Sequence, residues 1–254
     1  LMNMASREVE RLTDMPLGVS DPRWFPDGRR IAFIARVLHE APTPKGSAQR
    51  LSELAESPLR ARVTENRLYR YWDHWLDDDR CHHLFVLDLD SGELVDLTPD
   101  SRRWFDLMDP TGQYDIAPDG LEIAYSACSS EPPHDPVRWG VYTVKLPARG
   151  ASGRIGKARE LGKRYPGGAQ RPRYSPDGKW LLYGMRREQD FYADRVRLVA
   201  RNRESKRDLV LTERWDRSAA AWCFEEDGRV LMLAEESGRS AIFAFDFEEA
   251  LTQG

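Results

Sequence analysis

The sequence has few cysteines and no spacing of residues typical of a metal site. Its three cysteines, Cys81, Cys128 and Cys223, lie far apart and form no C-x-x-C pair. An odd, scattered set argues against a disulfide framework and favours free thiols in a reducing, cytoplasmic compartment. None of the five histidines has zinc-type spacing from a cysteine, and the adjacent His82 and His83 would point to opposite faces of a strand. We therefore expect neither a metal site nor a cofactor.

Long apolar runs and a strong excess of one charge are also absent. No run approaches the roughly 18 apolar residues of a membrane span. The opening segment "LMNMASREVERLT" lacks the apolar core of a secretory signal. The net charge is −4, with acidic and basic residues interspersed, so we expect no nucleic-acid or membrane partner. At 254 residues and 41% hydrophobic content, the chain can form one domain, residues 1–254, with its own core.

The common catalytic motifs are missing. The sequence contains no G-x-S-x-G nucleophile elbow, no phosphate-binding Walker loop and no G-x-G-x-x-G. Paired acids such as Glu225-Glu226 are adjacent and would face opposite ways in a strand. We therefore expect no catalytic residue, and no amidase or esterase activity, in this chain alone.

A repeated hairpin phrase is the most informative feature that is present. The phrase occurs as "RWFPDGRRIAFIA", "DIAPDGLEIAYSA", "RYSPDGKWLLYGM" and the more divergent "WCFEEDGRVLMLAE". Asp-Gly between apolar runs is a strong hairpin signal, because glycine takes the positive φ of a tight turn. The turn glycines are Gly28, Gly120, Gly178 and Gly228. A propeller blade has about 40–50 residues. The last two intervals, 58 and 50 residues, fit one blade each with modest loops, and the first, 92 residues, fits a blade with a large insertion.

The repeat predicts an all-β fold: a partial β-propeller of about four four-stranded antiparallel blades, similar to TolB or WD40 propellers. The fourth unit has no clear fourth strand. An ordinary antiparallel sandwich with recurring hairpins is the alternative. The predicted blades are residues 14–98, 99–162, 165–213 and 214–247, with an insertion at 38–80 in the first.

The insertion begins with a predicted loop, "APTPKGS". A short predicted helix follows from Ser47 to Glu56, with Ser47 as its N-cap and Pro58 bending or ending it. The aromatic and basic run "RLYRYWDHW" follows and leads into Asp77, Asp78 and Asp79. A proline-rich insertion, residues 129–140, occupies the equivalent place in the second unit.

Two interpretations of the aromatic run remain open. It packs the excursion onto the propeller, or it lines a ligand entrance, because insertions in repeat proteins often collect on the binding face. Arginine, tyrosine and tryptophan also dominate binding hot spots. Under the second interpretation, the candidate substrate-binding residues are Arg70, Trp72, Asp73 and Trp75.

These segments resemble a known family. The Pro-Asp-Gly hairpins, "RYWDHWLDDDRCHHLFVLDLDSGELVDLT" and "LGVSDPRWFPDGRRIAFIAR" are similar to the N-terminal propeller of prolyl oligopeptidase family serine peptidases, especially the bacterial acylaminoacyl-peptidase and dipeptidyl-peptidase V-like branch. The resemblance covers roughly residues 12–246. In that family a propeller of seven or eight blades caps an α/β-hydrolase domain with a Ser-Asp-His triad and filters peptides by size. No position of this chain matches the triad.

The resemblance implies a non-catalytic, substrate-gating propeller from a serine peptidase acting on short peptides. Its partners would be a peptide substrate and an α/β-hydrolase domain that this sequence lacks, and the chain would be a fragment of a larger propeller. Open blade edges would then favour self-association. The alternative function is a stand-alone TolB-like propeller that serves as a protein-interaction scaffold.

Overall fold

The computed structural model describes residues 1–59, 61–65, 68–76, 79–130, 137–151 and 153–253. The predicted Asp77 and Asp78 of the first insertion and residues 131–136 of the second lie outside the described residues. The structure is 40% strand and 8% helix, its main sheets are antiparallel and none closes on itself. The all-β, partial-propeller prediction is therefore confirmed.

The first blade carries the insertion between its second and third strands. Its elements are β1 (Val19–Trp24), β2 (Arg30–Leu38), α1 (Pro44–Glu56), β3 (Arg70–Tyr71), β4 (His74–Trp75), β5 (Arg80–Asp88) and β6 (Leu94–Asp96). The sheet has the order β1-β2-β5-β6, and β3 and β4 form a separate two-stranded hairpin.

The next two blades are simple four-stranded meanders. The second contains β7 (Tyr114–Ile116), β8 (Glu122–Cys128), β9 (Trp139–Lys145) and β10 (Arg159–Leu161). The third contains β11 (Ala169–Tyr174), β12 (Trp180–Met185), β13 (Arg197–Asn202) and β14 (Asp208–Val210). Each Asp-Gly turn joins the first and second strands of its blade, and the turn glycines have φ values from 62° to 87°.

The fourth sheet has three strands within the described residues, in agreement with the sequence of this unit, which has no clear fourth strand. The strands are β15 (Ala221–Phe224), β16 (Arg229–Glu236) and β17 (Arg239–Asp246), followed by helix α2 (Phe247–Gln253). On the face turned away from the third sheet, the paired Leu233 and Ile242 are 37% and 72% exposed. Self-association through this part of the molecule stays a prediction.

No helix among the described residues is long and apolar enough to cross a membrane.

The insertion helix begins three residues before the predicted start. Thr43, not Ser47, is the N-cap, and its hydroxyl accepts a hydrogen bond from the Gly46 amide at 3.1 Å. Pro44 takes the first helical position, where its fixed φ suits a helix and no amide donor is needed. Ser47 lies buried inside the helix, where its hydroxyl donates to Ala41 O at 2.8 Å and accepts from the Leu38 amide. The predicted end before Pro58 is confirmed.

Among the described residues, three hydrophobic core clusters lie between neighbouring sheets, and a further cluster packs on the other face of the first sheet. One core cluster joins the first and second sheets, another the second and third, and a further one the third and fourth. Alternating side chains along each strand make this possible, because one set faces the preceding blade and the other faces the next. In β8, for example, Ile123 and Tyr125 face the first sheet, whereas Ala124 faces the third.

The core between the first two sheets contains a ladder of rings and one unpaired hydroxyl. The rings of Phe105, Tyr125 and Tyr142 stack at centroid distances of 5.0 and 5.3 Å. The Tyr142 hydroxyl is buried, and the described part of the chain offers it no hydrogen-bond partner. A buried, unpaired polar group destabilises a fold.

Tyr142→Phe is therefore expected to leave the free energy of unfolding unchanged or to raise it by up to about 1 kcal/mol. Urea denaturation measures this. The matched control is Tyr114→Phe, because the Tyr114 hydroxyl lies 2.6 Å from Asp21 O and 2.9 Å from Ala32 O and links the second sheet to the first. The control should lose about 1 kcal/mol. A larger loss from Tyr142→Phe than from the control would contradict this account.

Candidate functional site

Two sets of loops meet at one end of the blades. In an antiparallel meander, the connection between the second and third strands leaves at the same end as the connection to the next blade. Three segments connect the second and third strands of their blades: the insertion of the first blade, the end of the second insertion and the loop at 186–196 of the third blade. Residues 97–113 and 162–168 connect one blade to the next. These segments together border a groove.

This groove, which we call the insertion-face groove, has a volume of about 490 Å³. That size lies within the roughly 300–1,000 Å³ of typical small-ligand sites. The groove crosses three blades, and both apolar and charged side chains line it. Its lining consists of Leu68, Tyr71, Asp106, Leu107, Met108, Gln113, Val137, Trp139, Gly167, Gln170, Arg186, Glu188, Asp190, Phe191 and Tyr192.

The loop between β12 and β13 supplies the densest group of functional side chains. Glu188 and Asp190 provide two exposed carboxylates, and Phe191 and Tyr192 are 56% and 88% exposed. The Arg186 guanidinium lies 5.8 Å from the centre of the Tyr192 ring. Exposed aromatics next to carboxylates suit a ligand with an apolar body and a positive end.

Asp194 fixes the base of this loop. Its carboxylate accepts hydrogen bonds from the amides of Arg187 and Glu188 at 2.6 and 3.0 Å, and from the Arg197 guanidinium at 3.0 Å. Burial alone would raise the pKa of Asp194, but these bonds lower it below its usual value and keep the group ionised. The hydrogen bonds of Asp194 therefore order the base of the loop that carries the exposed side chains.

The predicted binding residues lie on the hairpin β3–β4 at the rim of the groove. Arg70 and Trp75 come together, with the guanidinium 5.3 Å from the ring centre, and Arg70 Nε donates to Trp72 O at 2.7 Å. Trp72 is 77% exposed at the turn, and Asp73 beside it is also exposed. Tyr71, between them in sequence, lines the groove itself.

Trp75 lies on the other side of the hairpin. It lines a separate cavity of about 50 Å³ together with Arg36, His82 and Trp104. The four predicted residues thus cluster on one hairpin, but none of them is in the lining of the larger groove. Their role in substrate binding stays a prediction.

Sequence reasoning did not single out the loop at 186–192. Its segment "RREQDFY" has no insertion-like length to draw attention. One signal was available: the loop follows the second strand of its blade, as do the two insertions. Alignment of the blades would therefore have placed its carboxylates and aromatics on the same face.

A second cluster contains a cysteine, a histidine and an aspartate close together, as in a catalytic triad, but its burial and hydrogen bonds do not suit catalysis. In β5, Cys81 Sγ lies 3.5 Å from His83 Nε2, and His83 Nδ1 lies 2.7 Å from Asp96 Oδ2. Cys81 is only 2% exposed and His83 is fully buried. His83 Nε2 also lies 2.9 Å from Ser101 O, so the imidazolium donates to both neighbours and is not available as a base. This arrangement stabilises the fold and has no access for a substrate.

The described residues contain no group of three or more His, Cys, Asp or Glu side chains placed to hold a metal ion. The three cysteines are free thiols, and Cys223 is the exposed one.

Known proteins similar to this chain include fungal peptidases. The chain is 28% identical over 220 residues to dipeptidyl-peptidase 5 of Aspergillus fumigatus, a match that covers 79% of the chain and 30% of that protein. It is 23% identical over 235 residues to dipeptidyl-peptidase 5 of Arthroderma otae, covering 85% of the chain and 31% of that protein. The predicted family resemblance is confirmed. The chain spans about 30% of the length of these curated relatives, and no protein-family model matches it.

Solved structures agree on the fold. Acylaminoacyl peptidase from Pyrococcus horikoshii matches with a TM-score of 0.61 at 13% identity, over 97% of this chain and 33% of that one. TolB from Acinetobacter baumannii matches with a TM-score of 0.51 at 14% identity, over 91% of this chain and 41% of that one. At such identities, the likeness shows the propeller fold alone. Together with the sequence relatives, it supports a peptidase-associated propeller.

Proposed function

We propose that this chain is the substrate-gating propeller of a prolyl oligopeptidase-like serine peptidase that acts on short peptides. Catalysis belongs to a partner α/β-hydrolase domain, and the insertion-face groove receives the peptide. The single observation that carries the proposal is this groove, because it combines exposed aromatics with carboxylates in a volume suited to a few residues. The three free thiols support a reducing, cytoplasmic location as part of the proposal.

The carboxylates of Glu188 and Asp190 are the groups best suited to hold a peptide amino end. An amino terminus carries a positive charge at neutral pH, and a carboxylate in a partly enclosed groove binds it by a charge-assisted hydrogen bond. The similar curated proteins are named dipeptidyl-peptidases, and such an activity requires recognition of a free amino end. Tyr192 and Phe191 would pack against the side chains that follow.

The stand-alone scaffold is the alternative function. The likeness to TolB concerns the fold only. The dipeptidyl-peptidase relatives are more similar in sequence, and they favour the peptidase assignment.

Binding of short peptides tests the proposal. The 254-residue chain is titrated by calorimetry with an alanine-rich tetrapeptide that has a free amino end, and with the same peptide acetylated. The free peptide should bind more tightly. Glu188→Gln combined with Asp190→Asn should weaken its binding at least about tenfold, because even one lost hydrogen bond to a charged group corresponds to roughly 1.5–3 kcal/mol. The acetylated peptide should be insensitive to this change.

Glu204→Gln is the matched control. Glu204 is an exposed carboxylate in the β13–β14 turn, at the opposite end of the same blade, and its loss should leave both affinities unchanged. Equal affinity for the free and acetylated peptides would contradict recognition of the amino end. No binding of either peptide would contradict the proposed peptide site.

A further inference from the structure

Basic residues make up more than half of the lining of a crevice between the second and third sheets. It lies near the Asp-Gly turn end of the blades, away from the insertion-face groove, and has a volume of about 220 Å³. Six of its side chains carry a positive charge, and one lining side chain, Glu122, carries a negative charge. The basic residues are Lys145, Lys157, Arg159, Arg201, Arg203 and Lys206.

The register of the strands places these charges on facing surfaces. Lys145 follows Val141 at even spacing along β9, and Val141 packs in the core shared with the third sheet. Arg201 likewise follows Val199 in β13, which faces the second sheet. Positive charges from both sheets therefore line one interface, and like charges held close together destabilise it. The chain as a whole has a net charge of −4, so this concentration is local.

Only part of this charge is neutralised within the protein. Asp208 accepts from Arg201 at 2.8 Å, and Glu122 lies 3.3 Å from the Arg203 guanidinium. In the described part of the chain, Lys145, Lys157 and Arg159 form no ion pair. Burial lowers the pKa of the Lys206 ammonium, and the neighbouring cations on both walls lower it further. The carboxylate of Glu122 raises this pKa, but the net shift is downward. The crevice thus retains an excess of positive charge.

We propose that this crevice binds a small oligophosphate anion, such as pyrophosphate or a triphosphate group. Cations on both walls favour a ligand with at least two charged groups, which can contact both sheets at once. The volume falls below the roughly 300–1,000 Å³ of drug-sized sites, so it suits a compact anion. Lysine and arginine are the side chains that bind phosphate oxygens with strong, charge-assisted hydrogen bonds. Bound phosphate would join the second and third sheets and raise the melting temperature.

The test is titration of the 254-residue chain with sodium tripolyphosphate by calorimetry at about 0.15 M ionic strength, where the screening length is about 8 Å. We expect saturable binding with a matching rise in melting temperature. Arg159→Glu should reduce the affinity at least about tenfold, since one lost charged contact corresponds to that factor. Lys157→Glu, an exposed position outside the strands, should do the same and provides a second variant if the first does not fold.

Arg214→Glu is the matched control, because it makes the same charge change at an exposed residue in the β14–β15 connection, at the opposite end of the blades. It should leave the affinity within twofold. Equal losses in the control and the crevice variants would overturn the site and indicate a general charge effect. If citrate binds as tightly as tripolyphosphate, the assignment of a phosphate ligand is wrong. If orthophosphate binds as tightly, the proposal that the ligand contacts both walls of the crevice is wrong. The absence of binding to the unaltered chain would overturn the proposal altogether.

Discussion

Gly168→Ala should lower the free energy of unfolding by about 3–5 kcal/mol. Gly168 precedes β11 with φ +92°, a conformation that strains any residue with a side chain. A Cβ there would also lie 2.5 Å from Trp139 O and 3.1 Å from Trp139 N. These are backbone atoms at the start of β9, so the contact cannot be relieved by rotation of a side chain. Urea denaturation measures the loss.

Gly228→Ala separates the two causes. Gly228 has a similar φ of +87°, but a Cβ there would meet no atom within 4 Å. The control should therefore lose only the conformational part, about 1–2 kcal/mol. If the two variants lose the same free energy of unfolding, the close approach of the Gly168 backbone to β9 is not the reason that this position requires glycine.

Asp96→Asn should cost about 3 kcal/mol at neutral pH, because it removes the charged partner of a buried imidazolium. Burial alone would lower the pKa of His83, but the hydrogen bond to Asp96, with a further contribution from Cys81, raises it to about 10. The His83 ring is fully buried, so water cannot replace the lost partner. Chemical denaturation of both proteins gives the difference.

The pH profile identifies the cause of that difference. The folded state holds the His83 proton more tightly than the unfolded chain, whose histidine pKa is about 6.5. The pair's contribution is therefore fully present below about pH 6.5 and is lost as the pH rises through about 10. The stabilities of the natural protein and the variant should converge across this window. Two curves that stay parallel would show that the Asp96–His83 charge pair is not responsible.

The sequence predicted those parts of the fold that depend on local chemistry. The Asp-Gly turns are recognisable because their geometry is set within a few residues and requires a positive φ. The start of α1 was misplaced, because the prolines in "APTPKGS" indicate a loop, whereas Pro44 occupies the first turn of the helix and Thr43 caps it. A proline is common both in loops and at the first position of a helix, and the sequence alone does not distinguish the two.

The sites depend on distant parts of the chain and were less predictable. Glu188 and Asp190 become groove residues because Asp194 orders their loop beside residues of two other blades. The basic crevice requires Lys145 and Arg201 to meet across an interface between sheets. No local pattern connects such positions, because strand register and blade packing bring them together.

The placement of the cores between sheets has a consequence for how such a protein changes over evolutionary time. Each hydrophobic cluster between blades draws its side chains from two neighbouring sheets only. A duplicated blade therefore brings a new face that fits the old one, and the more distant interfaces need no redesign. The number of blades can vary by duplication or loss of whole units, while the loops at either end of each blade diverge independently to make new sites.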